Sequence, residues 1–275
     1  LAINALGPDL KIITPAREWN MSREQAIAYG EKFGIPAPVS KNSPYSIDVN
    51  LLGRSVEAGL LEDPLKPPSE DVFKITSSIQ DAPDEPQDIE IEFKNGFPVA
   101  IDGGLLSPLE LMKKANTIAG KHGYGRIDMI EDRVVGIKSR EIYETPGLLL
   151  LIKAHRELES LTLNPEVVEY KTFIEKKWGK LVYQGFWFSP LKYALDNFIS
   201  ATQESVNGIV RLRMHKGNAV VIGRQSDSNS LYREDLATYS HNDGFNHSKA
   251  EGFIYMWGMS NKIWAESNVK DHLSE

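Results

Sequence analysis

Two stretches concentrate side chains with binding chemistry. In PYSIDVNLLGRSVEAGLLEDP, residues 44–64, Ser46 and Ser55 stand nine positions apart, with Asp48, Asn50, Arg54 and Glu57 among apolar neighbours. Hydroxyls donate to carboxylate or carbonyl oxygen, a carboxylate holds an ammonium, and a guanidinium grips an anion. In HGYGRIDMIEDRVVGIKSREIYETPG, residues 122–147, Glu131 and Tyr143 lie twelve apart across an expected strand reversal, so they can converge on one site. Ile127, Met129, Val134, Val135 and Ile137 tie this segment to a core. The competing reading is a strand face whose Arg and Glu residues are solvated, since strands alternate buried and exposed positions.

Other motifs fall away on spacing. IDGGLLSP, residues 101–108, lacks the Gly-Lys-Ser/Thr of a phosphate loop and the third glycine of a dinucleotide fingerprint. Its glycines fit a bend between a hairpin and a helix. His241 and His247 in HNDGFNH have neither HExxH spacing nor an i, i+4 arrangement, so a solvated loop is expected and no metal site. No Ser, His and Asp fall in a triad context. With no cysteine, disulfides, thiol catalysis and Cys-based zinc sites are excluded.

The elements that must position these residues follow from pattern. The 275 residues suit one large domain or two modest ones, and 41% hydrophobic with 25% charged residues is a globular composition. A formal charge of −7 without a Lys/Arg cluster argues against a nucleic-acid surface. The longest apolar run, residues 148–152, is too short for a bilayer. LAINALGPDLKIITP has no basic leader, which predicts no signal peptide; a cytoplasmic chain is expected. The missing initiator Met suits a piece of a longer protein.

LKIIT, residues 10–14, predicts a short buried strand, followed by a helix over 22–33 with Ser22 and Gln25 as a capping box and Pro36 and Pro38 beyond its end. Residues 63–86, proline-rich and acidic, predict a long surface loop. IEIEFK-NG-FPVAID predicts a hairpin on a type I′ turn, and IVRLRMH-KGN-AVVIGR a second with a longer turn. Ser107, Pro108 and Glu110 start a helix that Gly123 can close. Residues 126–142 read as extended, and helices are expected over 147–161, 165–179 and 190–206. Paired antiparallel strands followed by runs of helices indicate an α+β fold, preceded by one β-α unit of parallel-sheet type.

The two long motifs, with PDLKIITPAREW, DIEIEFKNGFPVAIDG and LVYQGFWFSP at residues 181–190, resemble argininosuccinate synthase, in the family's order and over almost the whole chain. The family condenses citrulline with aspartate using ATP and releases AMP and pyrophosphate. By resemblance, Ser46, Ser55, Glu131 and Tyr143 are citrulline contacts, and Asp48 matches a position that some members use towards ATP. Glu131 would take the ligand's ammonium, while the hydroxyls would donate to its carboxylate or ureido oxygen. The ureido oxygen needs orientation more than a strong base.

The family's Ser-Gly-Gly loop and Gly-Asn-Asp segment do not occur in these residues, and Ala16 stands where members often have Trp. The resemblance therefore covers the C-terminal two-thirds of the enzyme. It implies residues 1–35 as the end of a nucleotide-binding domain, 36–250 as a synthetase domain and 251–275 as an oligomerisation arm. It further implies a homotetramer, ATP and magnesium as co-substrates of the complete enzyme, and no catalytic residue within this chain. The alternative is a non-enzymatic citrulline-binding or oligomerising module.

Overall fold

In the computed structural model the described residues are 1–36, 45–240 and 243–269, so Pro38 and His241 lie outside them. Leu1–Leu231 and Tyr232–Glu275 form two compact units.

The larger unit opens with short helices α1 (Ala2–Leu6) and α2 (Pro15–Trp19), then α3 (Arg23–Lys32). Ser22 and Gln25 close the expected capping box on α3, each side chain bonding the other's backbone N–H. The strand expected at residues 10–14 is not there. A strand needs a neighbour to take its backbone hydrogen bonds, and no described segment pairs with these residues, which leaves Leu10 and Ile13 exposed.

The main core is built on a five-stranded antiparallel sheet. It contains β3 (Gln87–Lys94), β4 (Phe97–Ile101), β5 (Gly104–Leu105), β8 (Gly208–His215) and β9 (Asn218–Gln225), in the order β5-β4-β3-β8-β9. Alternate residues of β3 and β8 (Ile89, Ile91, Phe93; Val210, Leu212, Met214) are buried in register against helices α4 (Pro108–Lys121) and α5 (Pro146–Thr162). Asn95-Gly96, with φ of 48° and 75°, makes the primed turn expected of Asn-Gly. The second hairpin is tighter than expected: Asn218 already pairs with His215, so Lys216-Gly217 alone turn the chain.

A second, four-stranded antiparallel sheet has the order β1-β2-β7-β6. Its strands are β1 (Ser46–Asn50), β2 (Gly53–Glu57), β6 (Arg126–Asp132) and β7 (Lys138–Glu144). The turn-rich opening segment is thus a hairpin around Leu51-Leu52, with Leu52 N–H donating to Asn50 Oδ1 at 2.8 Å. Only glycine fits at position 53, because a Cβ there would lie 2.2 Å from the carbonyl oxygen of Glu144.

Helices α6 (Pro165–Tyr183) and α7 (Pro190–Gln203) pair around Ile174, Leu181 and Leu195. α6 runs past the expected stop at Gly179, because Leu181 continues its apolar face; a helical glycine costs only about 1 kcal/mol. It ends instead at Gly185, φ +81°, whose N–H returns to Val182.

The second unit holds α8 (Glu234–Ala237), α9 (Ser248–Trp257) and α10 (Met259–Asn268). Phe253 and Trp257 stack at 5.6 Å on α9, and both are exposed. Among the described residues no helix is long and apolar enough to cross a membrane.

Candidate functional site

The four-stranded sheet brings the sequence-selected residues to one face. Ser55 on β2 lies opposite Asp48 on β1 and opposite Tyr143 on β7. Side chains directly opposite in a sheet share a face, as do residues two apart along a strand. Ser46, paired with Glu57, joins that face. So does Glu131, paired with Ser139 on β7. All five expected residues, Ser46, Asp48, Ser55, Glu131 and Tyr143, therefore project to the same side.

The convergence of Glu131 and Tyr143 is direct. The Tyr143 hydroxyl contacts Glu131 Oε1 and also lies 2.9 Å from Glu141 Oε2. Arg133, just beyond β6, completes the group. Its guanidinium donates to Glu57, to Glu141 Oε1 at 3.0 Å and to Ser139 Oγ at 2.7 Å. Glu57, Arg133, Ser139 and Glu141 were not among the expected site residues. The signal for Glu141 and Ser139 was present, since they stand two and four positions before Tyr143 on one strand. Arg133 lies next to a turn, where strand alternation no longer assigns a face.

Three carboxylates share the face with one guanidinium, which meets Glu57 and Glu141 but not Glu131; the face is net anionic, which suits a ligand carrying an ammonium. Burial, then the charges of Glu131 and Glu57, hold the Glu141 carboxyl above the usual range. Burial and the two carboxylates likewise raise the Tyr143 phenol, so it stays a neutral donor. Beside Glu57 the chain turns sharply away at Ala58, φ 72° and ψ −175°, a conformation costing roughly 1–3 kcal/mol for a residue with a Cβ. Next to this turn a cavity of about 810 Å³ is lined by Glu57, Arg133 and Ser139 together with Ile130 and Arg140 of the opposite sheet face, and by none of Ser46, Ser55, Glu131 or Tyr143.

The opposite face of the sheet anchors it. Val56 and Ile142 pack with Leu61 and Val72 in a small separate core. Glu144, 1% exposed, accepts from the backbone N–H groups of Lys74 (2.9 Å), Ile75 (3.0 Å) and Thr76 (2.9 Å), and from Thr76 Oγ1 (2.7 Å). Arg54 Nη1 adds a bond to Glu144 at 3.3 Å and another to the carbonyl of Val72. Residues 63–86 are therefore more than a surface loop: Val72, Thr76 and Ala82 are buried, and backbone amides of the segment surround a carboxylate. Among the described residues no three His, Asp or Glu side chains are arranged to hold a metal ion.

The larger unit is an α+β unit that presents hydroxyls, carboxylates and a guanidinium on one sheet face. Residues 45–264 match the Arginosuccinate synthase C-terminal domain, and residues 1–36 match the Arginosuccinate synthase N-terminal HUP domain. Argininosuccinate synthase of Prochlorococcus marinus strain MIT 9301 is 77% identical over 270 residues, covering 98% of this chain and 67% of the relative. The proteins of the same name from strains MIT 9312 and MIT 9303 are 75% and 66% identical, over 98% and 96% of this chain and 67% and 66% of their own lengths. The chain spans about two thirds of the length of the curated relatives it matches. It belongs to the argininosuccinate synthase family of carbon–nitrogen ligases.

Proposed function

We propose that this chain supplies the citrulline half of an enzyme that joins citrulline and aspartate at the expense of ATP, releasing AMP and pyrophosphate. The observation that carries the reading is the shared face of Ser46, Ser55, Glu131 and Tyr143, with the Tyr143 hydroxyl on Glu131. In this role Glu131 takes the ammonium of citrulline. Ser46 and Ser55 donate to its oxygens and keep the ureido oxygen aimed at the phosphorus it attacks. Asp48, exposed on the outer strand of the same face, is assigned towards ATP. Magnesium would arrive with the phosphates of ATP, since the described residues offer it no cage.

We read residues 1–35 as part of the nucleotide-binding domain, 36–250 as the synthetase domain and 251–275 as an oligomerisation arm; the match over residues 1–36 supports the first boundary, while the C-terminal-domain match runs on to residue 264. Phe253, Ile254, Tyr255, Met256 and Trp257 are each at least 62% exposed, an apolar surface that a soluble chain covers by self-association. We assign a homotetramer, at work in the cytoplasm. Light scattering at micromolar concentration is expected to report four copies; a monomer would remove the assignment.

The purified 275-residue chain is expected to release no pyrophosphate from ATP, magnesium, citrulline and aspartate. The Ser-Gly-Gly loop of the family does not occur in it, and phosphoryl chemistry depends on donors that hold the phosphates. Calorimetry should nonetheless detect citrulline binding. Turnover that needs both amino acids would show an ATP site within this chain, and absent citrulline binding would remove the ligand assignment.

A further inference from the structure

We propose that Glu141 is a proton-holding positioning residue of this site, linked through Tyr143 to Glu131, and that it releases its proton when a ligand ammonium reaches Glu131. The inference rests on the citrulline reading for its ligand, but its first half concerns the protein alone. It begins with a count of hydrogens. A tyrosine hydroxyl has one proton to donate. The Tyr143 oxygen lies within hydrogen-bond reach of two carboxylates, on Glu131 and at 2.9 Å on Glu141. If the hydroxyl donates to one carboxylate, the other presents a lone pair to a lone pair unless it carries a hydrogen itself. One proton must therefore be shared by the two glutamates, and the chain runs Glu141 O–H to Tyr143 O–H to Glu131.

The surroundings place that proton on Glu141. On its own strand it faces Tyr143; from β6 it meets Glu131; from β2 it faces Glu57, which the register of Val56 on Ile142 sets beside it. Its side chain is 13% exposed, so water screens little of this repulsion. Arg133 opposes protonation, but its Nη2 is shared with Glu57, so one cation serves two acids. Tyr183, from α6, adds to the field at Arg133. Burial first raises the Glu141 carboxyl, the hydrogen bond with Tyr143 works against that rise, and the charges of Glu131 and Glu57, with a hydrogen bond to Glu57, add to it.

An ammonium at Glu131 reverses this balance. The Glu141 O–H bond breaks, its proton leaves to buffer, and the electron pair stays on a carboxylate that Arg133 already faces at 3.0 Å. Tyr143 keeps its own proton throughout. Ligand affinity then rises with pH across the range in which Glu141 titrates.

The test has two arms on the full chain. Without ligand, the side-chain carboxyl carbons of 13C-labelled glutamate are followed by NMR from about pH 4 to 8, the span around the ordinary carboxylate range. One resonance is expected to titrate above that range, to vanish in Glu141→Gln and to move to lower pH in Glu131→Gln. Should Glu141→Gln fail to fold, the shift in Glu131→Gln decides alone. If every carboxyl titrates in the ordinary range, or the high one persists in folded Glu141→Gln, the inference is overturned. With citrulline, calorimetry in buffers of different ionisation enthalpy should give release of up to about one proton per ligand, and none in Glu141→Gln. Binding to the wild type without proton release overturns the coupling. A high carboxyl with no citrulline binding upholds the shared proton and removes the ligand reading instead.

Discussion

The two sheets of the larger unit use the same alternation to opposite ends. In the five-stranded sheet every second residue of β3 and β8 is a large aliphatic or aromatic group pressed onto α4 and α5, while the other face carries exposed pairs such as Arg213–Asp88. In the four-stranded sheet the buried apolar set is Val56, Leu61, Val72 and Ile142, and the remaining restraint is polar and directional. One sheet is held by contact area and the other by hydrogen bonds to a single carboxylate. A site that must keep acids and hydroxyls in fixed positions gains from the second kind of support, because directed bonds set orientation as well as proximity.

The strongest way to break this contrast is Glu144→Ala. It leaves Arg54 buried without its partner and three backbone amides without an acceptor, and losing one member of a buried pair costs about 3–5 kcal/mol. Hydrogen exchange should show residues 46–57 and 126–144 opening while β3 and β8 stay protected. Simultaneous opening of both sheets would mean that they form one cooperative body. The companion change is Leu212→Ala, at a fully buried position of β8. It is expected to cost about 2–5 kcal/mol and to lower the protection of the five-stranded sheet first.

A smaller effect separates function from fold. Glu131→Gln keeps the shape of the side chain but loses its charge, and a charged hydrogen bond is worth about 1.5–3 kcal/mol. Citrulline binding should weaken roughly ten- to a hundredfold, while the fold is retained. Equal affinity in calorimetry would move the ammonium contact elsewhere.

The mildest effect is one of sign. A carboxyl raised above its unfolded value binds protons more readily in the folded state. Glu141 therefore supports stability most at low pH, below the ordinary glutamate range, and that contribution is lost as pH rises through its folded value. Glu141→Gln should flatten this part of the stability–pH curve and leave the variant no less stable than the wild type at neutral pH. Denaturant melts at several pH values would show it; an unchanged slope would place the charge repulsion elsewhere.

Local chemistry was the legible part of the sequence. The capping boxes at Ser22 and Ser107 and the primed turn at Asn95-Gly96 depend on residues within four positions of one another, and each formed as expected. The fold class followed from the same local signals. What the sequence did not disclose depends on distant partners. Residues 10–14 have a strand composition but no described strand beside them. Residues 74–76 carry no unusual side-chain pattern, and apart from the Thr76 hydroxyl their part is played by backbone N–H groups that every residue except proline has. Five site residues came from motif resemblance and fell on one face. Ser139 and Glu141 could have been read from their even spacing to Tyr143 on one strand, whereas Glu57 required knowing which strand lies beside which, since Glu57 and Glu141 are far apart in the chain and neighbours only once β2 meets β7.

Adjacent residues of β7 serve the two faces: Tyr143 points to the site and Glu144 into the amide cradle. A strand displaced by one residue exchanges its faces completely. In β7 such a slip would swing the phenol toward Lys74–Thr76, which need an acceptor, and would turn the carboxylate out toward Glu57 and Glu131 on the neighbouring strands. Neither residue could then do the other's work, and the amides would be left without a partner. The cradle thus fixes the frame of β7: only the native register gives the amides of residues 74–76 their acceptor while Tyr143 stays on the face of Glu131.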